Sequence, residues 1–223
     1  MRLLLIRHGQ TPANVRGELD TAHPGPGLTA LGHRQAAAIP SALAGETIDA
    51  IFVSTLVRTQ LTAAPLAAAR GIEPQILDGV HEIEAGLMEM ATDHASYKAY
   101  LETAFAWGLG DRHVVMPGGT DGFAFFERFD ASVRQIGASG AETAVLVSHG
   151  AAIRVWVAAA ASNIAPTFSA DQDLDNTALV TLEGSPSEGW QLVSWLGSPV
   201  GGAFLGDQSA DDPTGEPLDE AVQ

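Results

Sequence analysis

Two stretches of this chain follow the same pattern, and together they restrict its fold more than any other feature. Leu3-Leu4-Leu5-Ile6 is an unbroken apolar run that stops at Arg7-His8-Gly9, with Pro12 close behind. Thr143-Ala144-Val145-Leu146-Val147 is a second such run, and it stops at Ser148-His149-Gly150. A short run that is apolar at successive positions, without alternation, reads as a strand covered on both faces, the condition of strands in a parallel sheet flanked by helices. The residues that follow such strands lie at their carboxyl ends, where open α/β sheets place ligands. Taken alone, Arg7-His8 reads equally well as surface punctuation; its recurrence as strand, His and Gly argues for a site. A third stretch, Ile51-Phe52-Val53-Ser54 and then Leu56 to Ala63, is a strand followed by a helix with Arg58 near its first turn. A cation there opposes the helix dipole unless an anion is also present, so the arrangement predicts a bound anion.

Composition narrows the partners. The formal charge of -16 argues against nucleic acid and against an anionic membrane surface, both of which are bound by basic residues. The chain has only 11 basic residues, ten Arg and one Lys, yet it sets Arg7 and Arg58 beside two candidate histidines. Arg suits phosphate because its planar fork makes bidentate contacts to phosphate oxygens. An Ala-rich composition offers a plainer account of the Arg excess, and both readings apply. The absence of cysteine excludes disulfides, thiolate zinc sites and thiol nucleophiles. The seven histidines show no HExxH-type ligand spacing, so neither metal nor cofactor is expected. No apolar run approaches the ~20 residues of a membrane span, and the short run after Arg2 is unlike a signal peptide, which gives a cytoplasmic expectation.

Along the chain, residues 10–27 read as an irregular functional loop with Pro12, Gly17, Pro24 and Gly25, and they offer Asn14, Arg16 and His23 as candidate substrate contacts, with plain solvent exposure the favoured reading of Arg16 and His23. Thr29 caps a predicted helix to Leu43, with Pro40 kinking or ending it. Strands are expected over Ile48–Val53 and Glu73–Leu77, and a helix over Leu56–Arg70 that Pro65 interrupts and Gly71 closes. Asp93–Trp107 reads as a helical insertion, and Asp121–Gly137 as a helix burying Phe123, Phe126, Phe129, Val133 and Ile136. A helix over Ala151–Ala161 follows the second histidine. Ala178–Leu182 and Gln191–Trp195 then form an antiparallel pair about the Gly184–Gly189 turn. The last 17 residues, Asp207 to Gln223, carry six acidic residues and no basic one, and read as a solvated tail, with an acidic gate over an anion pocket as the alternative. This gives one domain over 1–200, with a helical insertion at about 92–120, and an acidic, flexible tail over 201–223.

These residues resemble the histidine phosphatase superfamily, which includes the cofactor-dependent phosphoglycerate mutases. The resemblance rests on Arg7-His8-Gly9 with Gln10, Thr11 and Asn14; on Leu28-Thr29 through Gly32, Gln35 and Ala36; and on Ser54 with Arg58, Thr62 and Ala63. It continues through Glu82 with Gly86, Pro117-Gly118-Gly119 with Arg128, Ser148-His149-Gly150 and Asp175-Asn176-Thr177-Ala178. It implies a three-layer α/β/α sandwich about a mostly parallel sheet. It also implies a catalytic set of His8, Glu82, His149, Arg7 and Arg58, with phosphate or substrate contacts from Arg7, Thr11, Asn14, Arg58, His149 and Gly150. In that reading neutral His8 attacks phosphorus, Arg7, Arg58 and His149 hold the phosphoryl oxygens, and Glu82 protonates the leaving group. Two departures stand out: Leu87-Met88-Glu89 replaces the family's Trp-Glu-Gly after Gly86, and Thr120 replaces Glu after the Gly-Gly pair.

The expected activity is hydrolysis of a phosphate monoester on a small metabolite, without metal. A phosphoglycerate mutase is the alternative, disfavoured because Ile83 and Glu84 follow Glu82 where mutases carry Arg and a Tyr-Gly pair. A non-catalytic phospholigand module needs neither nucleophile nor acid. A protein-phosphohistidine phosphatase is usually smaller and barer than a chain with the 93–107 insertion. Oligomeric state stays open, a homodimer being one outcome.

Overall fold

The computed structural model describes residues 1–207, 209–210 and 212–221, the side chain of Glu220 excepted. In chain order its elements are β1 (Arg2–Arg7), α1 (Pro12–Arg16), α2 (Ala30–Ala42), β2 (Ala50–Ser54), α3 (Val57–Arg70), β3 (Gln75–Leu77), α4 (His94–Gly108), α5 (Gly122–Ala138), β4 (Thr143–Ser148), α6 (Gly150–Ala160), β5 (Leu179–Ser185), β6 (Gly189–Leu196) and α7 (Leu218–Ala221). The six strands form one sheet in the order β3-β2-β4-β1-β5-β6. β3, β2, β4 and β1 run parallel, and β5 and β6 extend the sheet as an antiparallel pair beside β1.

Successive side chains of a strand point to opposite faces, and here both faces are dry. Leu3, Leu5, Phe52 and Leu146 pack with Phe129, Val155 and Trp156 of the α5–α6 layer. Leu4, Ile6, Ile51, Val53, Val145 and Val147 pack with Ile39 of α2 and with Ala63 and Leu66 of α3. That double coverage is why the strands read as unbroken apolar runs. Each fully buried Leu, Ile or Val contributes about 1.5–3 kcal/mol, so this central slab is a rigid base for the loops at its carboxyl edge.

Four expectations need correction. The 10–27 segment is not wholly irregular. Pro12–Arg16 forms a short helix with a full capping box, in which Thr11 accepts from the Asn14 N–H and the Asn14 side chain accepts from the Thr11 N–H. Pro65 does not interrupt α3, which runs unbroken from Val57 to Arg70. Proline removes one donor at a cost of ~3 kcal/mol or more, and the helix offsets this by burying Thr62, Ala63, Leu66 and Ala67 on its inner face. On α5, Phe123 is 48% exposed, whereas Phe125, which was not singled out, is 1% exposed. The buried set Gly122, Phe125, Phe126, Phe129, Ser132, Val133 and Ile136 follows the 3.6-residue period with Phe125 four before Phe129. Phe123 lies on the far side, against His113.

The fourth correction concerns the carboxyl terminus. The described residues after 201 are folded back onto the domain instead of being solvated. Gly215 C=O accepts from Leu174 N–H at 2.8 Å, Leu205 C=O accepts from Gln35, and Pro213, Gly215 and Ala221 are buried. Gln208, Asp211, Val222 and Gln223 lie outside the described residues. The tail docks because a buried cation waits for it. Arg154 of α6 has no exposed surface and donates to four carbonyls, those of Ser169, Ala170, Thr214 and Glu216. Its burial pulls the guanidinium pKa down to about 9. A solvated tail would leave two of those donor contacts unmade inside the protein.

Candidate active site

The register of the sheet assembles the site. β1 and β4 are hydrogen-bonded neighbours in parallel register, with Arg7 opposite Ser148. The next residue on each strand is a histidine, so the two rings meet with centroids 5.2 Å apart. β2 ends one strand further along, and its Ser54 Oγ lies 2.7 Å from His149 Nε2. Arg58 enters from the first turn of α3.

His8 Nδ1 lies 2.9 Å from the Gly9 carbonyl oxygen. A carbonyl only accepts, so Nδ1 carries the proton and Nε2 keeps its lone pair. Burial, reinforced by Arg58 and Arg7, holds the His8 pKa well below the ordinary value. The ring is therefore neutral near pH 7. His149 is neutral for the same leading reason, burial, with Arg58 second. Its Nδ1 accepts from Arg58 Nε at 3.3 Å, so its proton sits on Nε2 and is donated to Ser54.

Two donors here have no hydrogen-bond partner among the described residues: Arg7 Nε and Arg58 Nη1 are both fully buried and make no hydrogen bond. An unmet buried donor costs about 1–3 kcal/mol, more when charged. Arg58 Nη2 donates to the Asp20 carbonyl at 3.0 Å, and the Asp20 carboxylate stands 3.8 Å from Nη1. Arg7 Nη1 donates to the Leu174 carbonyl at 2.8 Å, while Nη2 faces Asp212 and Thr214. A phosphoryl group is the kind of ligand that satisfies such forks.

Glu82 is buried, and its carboxylate accepts from three backbone N–H groups: its Oε1 from Ile83 and Ala152, and its Oε2 from Ala151. The last two belong to the first turn of α6, where the helix dipole also favours a negative charge. Burial nevertheless outweighs these bonds and the nearby Arg58, and the pKa is raised above the ordinary carboxylate value. The loop carrying Glu82 is pinned by Arg128 of α5, which donates to the carbonyls of Gly79, His81 and Glu82. Gly86 closes the loop with φ +58°, and a Cβ there would lie 2.2 Å from the Pro117 carbonyl oxygen. Glu84 is exposed, 3.6 Å from His81.

Of the residues expected at the site, Arg7, His8, Arg58, Glu82 and His149 converge. Asn14 reaches it from α1, with Oδ1 spent on the capping box and Nδ2 left to donate. Thr11 borders the same cavity, but its hydroxyl is engaged with Asn14. Gly150 gives room: a Cβ would come within 2.7 Å of the Thr214 carbonyl oxygen and 3.1 Å of Arg7 Nε. Arg16 is turned outward into an ion pair with Glu18, and His23 bonds Thr55 at the surface. Sequence reasoning missed Asp20, Arg154, Asp212 and Thr214. The Arg7–Asp212 contact spans 205 positions, and no local pattern encodes a contact at that separation. The charge of the tail was the one signal available. Among the described residues, no group of three or more His, Asp or Glu side chains is placed to hold a metal ion, and no helix is long and apolar enough to cross a membrane.

Over 216 residues the chain is 43% identical to the PE-PGRS family protein PE_PGRS11 of Mycobacterium tuberculosis, covering 90% of this chain but only 37% of that protein. It is 32% identical over 162 residues to an adenosylcobalamin/alpha-ribazole phosphatase of Escherichia coli, covering 71% of this chain and 78% of the relative. The fold matches the vanadate complex of a mycobacterial glucosyl-3-phosphoglycerate phosphatase with a TM-score of 0.74 and 28% identity, over 88% of this chain and 99% of that one. The family model described as histidine phosphatase superfamily (branch 1) matches residues 3–196, a span that holds both histidines, both arginines and Glu82. The chain therefore belongs to the histidine phosphatase superfamily, branch 1.

Proposed function

We propose that this histidine phosphatase hydrolyses phosphate monoesters of small metabolites through a phosphohistidine on His8, without a metal ion. The observation that carries the reading is the His8 ring. It is buried and neutral, with Nδ1 locked onto the Gly9 carbonyl and Nε2 therefore free to attack. Arg7 and Arg58 bring the unpartnered donors for the equatorial oxygens, and Asn14 Nδ2 adds a third. The dianion raises the proton affinity of His149, which then gains a donor on its Nδ1 edge. Glu82, with its raised pKa, gives its proton to the leaving oxygen and takes one back from the water that cleaves phosphohistidine. The names of the alpha-ribazole and glucosyl-3-phosphoglycerate phosphatases support a small phosphorylated metabolite as the substrate class.

The test is hydrolysis of p-nitrophenyl phosphate in EDTA by wild type and His8→Ala, with phosphohistidine trapped at alkaline pH and located by mass spectrometry. Turnover that survives EDTA and a phosphate on residue 8 are expected. Undiminished turnover in His8→Ala, or its loss in EDTA, would overturn the reading. Transfer of the phosphoryl group back to a bound product in preference to water would make the enzyme a mutase.

A further inference from the structure

Asp212 sits where the substrate's phosphoryl group should be. Its Oδ1 and Oδ2 accept from Arg7 Nη2 at 2.8 and 2.6 Å, and Oδ1 also lies 3.3 Å from Asn14 Nδ2 and 3.2 Å from the Thr214 hydroxyl. Asn14 Nδ2 is a donor that the proposed reaction assigns to phosphate, and Arg7 Nη2 belongs to the same guanidinium as the Nε assigned to it. The remaining cavity, bounded by His8, Asn14, Asp20, Arg58, Glu82 and Thr214, measures only about 20 Å³. That is room for about one water and too little for a phosphoryl group.

The carboxylate is held there by built contacts. Thr214 and Glu216 C=O accept from buried Arg154, Gly215 C=O accepts from Leu174 N–H, and Gly150 leaves the space that Thr214 fills. A carboxylate in this place is an incomplete substitute, because among the described residues it leaves Arg7 Nε and Arg58 Nη1 without a hydrogen-bond acceptor. A tetrahedral dianion has more oxygens and more charge to offer both.

We infer that Asp212 is an affinity-setting residue of this site, an intramolecular anion that the substrate's phosphoryl group must displace from Arg7 and Asn14. The inference rests on the phosphatase reading for its meaning in turnover, but not for its effect on anion binding. Displacement precedes chemistry, so Asp212 raises the apparent KM and leaves kcat alone. A site free in roughly one molecule in ten binds ligand about tenfold more weakly than its intrinsic affinity.

The experiment compares full-length wild type, Asp212→Asn, Asp212→Ala and, as a charge control on the exposed face of α7, Asp219→Asn. For each, KM and kcat for p-nitrophenyl phosphate are measured, together with the Kd of inorganic phosphate by calorimetry. Both Asp212 variants should lower KM and the phosphate Kd by the same factor, roughly tenfold, with kcat unchanged and Asp219→Asn matching wild type. An unchanged or raised phosphate Kd in both variants would overturn the inference, as would an equal gain in Asp219→Asn, which would mean bulk charge. A wild type that does not turn over, yet binds phosphate more tightly once Asp212 is replaced, would sink the phosphatase reading and leave this one standing.

Discussion

At the scale of single residues, the proposed chemistry rests on two groups pushed in opposite directions by one cause. Burial lowers the pKa of His8 and raises that of Glu82, which favours the neutral ring and the protonated carboxyl that the proposed reaction uses. In the proposed reaction the active form holds His8 neutral and Glu82 protonated. The specificity constant should therefore fall on the acid side as His8 gains a proton, below its ordinary value near 6.5, and on the alkaline side as Glu82 loses one, above its ordinary value near 4.5. A bell-shaped profile is the expected outcome. Glu82→Gln should remove the alkaline limb and cost about 10²–10⁴ in rate on alkyl phosphates, with a smaller loss on p-nitrophenyl phosphate, whose leaving group needs no proton. Equal losses on both substrates would count against Glu82 as the acid.

At the scale of elements, helix α5 shows how a correct element can carry a misread face. A run of phenylalanines at 123, 125, 126 and 129 admits two registers, and the pocket of α4 and α6 side chains selects the one that buries Phe125 against Trp107 and Phe129. Phe125→Ala should lose about 3–5 kcal/mol of unfolding free energy in urea titrations, whereas Phe123→Ala should stay within about 0.5 kcal/mol, as surface changes do. Comparable losses would mean that Phe123 is packed in solution. Arg128 makes α5 functional as well as structural, since three carbonyls of the Glu82 loop hang on it. Arg128→Met should lower activity while leaving inorganic phosphate binding at the Arg7 and Arg58 cradle near wild type; a parallel loss of phosphate affinity would contradict a role confined to the acid loop.

At the scale of the whole molecule, the site makes stability depend on pH. His8 and His149 are neutral in the fold, with pKa values well below 6.5, and in the unfolded chain they titrate near 6.5. Below that pH the unfolded state binds more protons, so stability falls as pH drops toward their native values. Glu82 acts in the opposite sense: its native pKa is raised, the folded state holds its proton longer, and acidification relieves the cost of its charge. Urea midpoints should fall between pH 7 and pH 5 in wild type, less so in His8→Ala and more steeply in Glu82→Gln. A His8→Ala profile parallel to wild type would show that the ring is not buried neutral.

The strands and the layers are legible in the sequence, and so are His8 and His149 as candidate reactive groups, because each is written in a few neighbouring residues: an apolar run without alternation, then His and Gly. Leu3–Ile6 and Ala144–Val147 could be covered on both faces only in a sandwich, and their shared ending placed His8 and His149 at one edge. Tertiary structure alone decided that α3 continues through Pro65, that Phe125 and not Phe123 is core, and that Asp212 closes on Arg7. Each of those outcomes depends on what the rest of the fold presents: an apolar layer for α3, a pocket for one phenylalanine, and the buried cations Arg7 and Arg154 for an acidic segment some 200 residues from the first strand. Short-range patterning carries no information about such partners, since their energies arise only when the chain has brought them together.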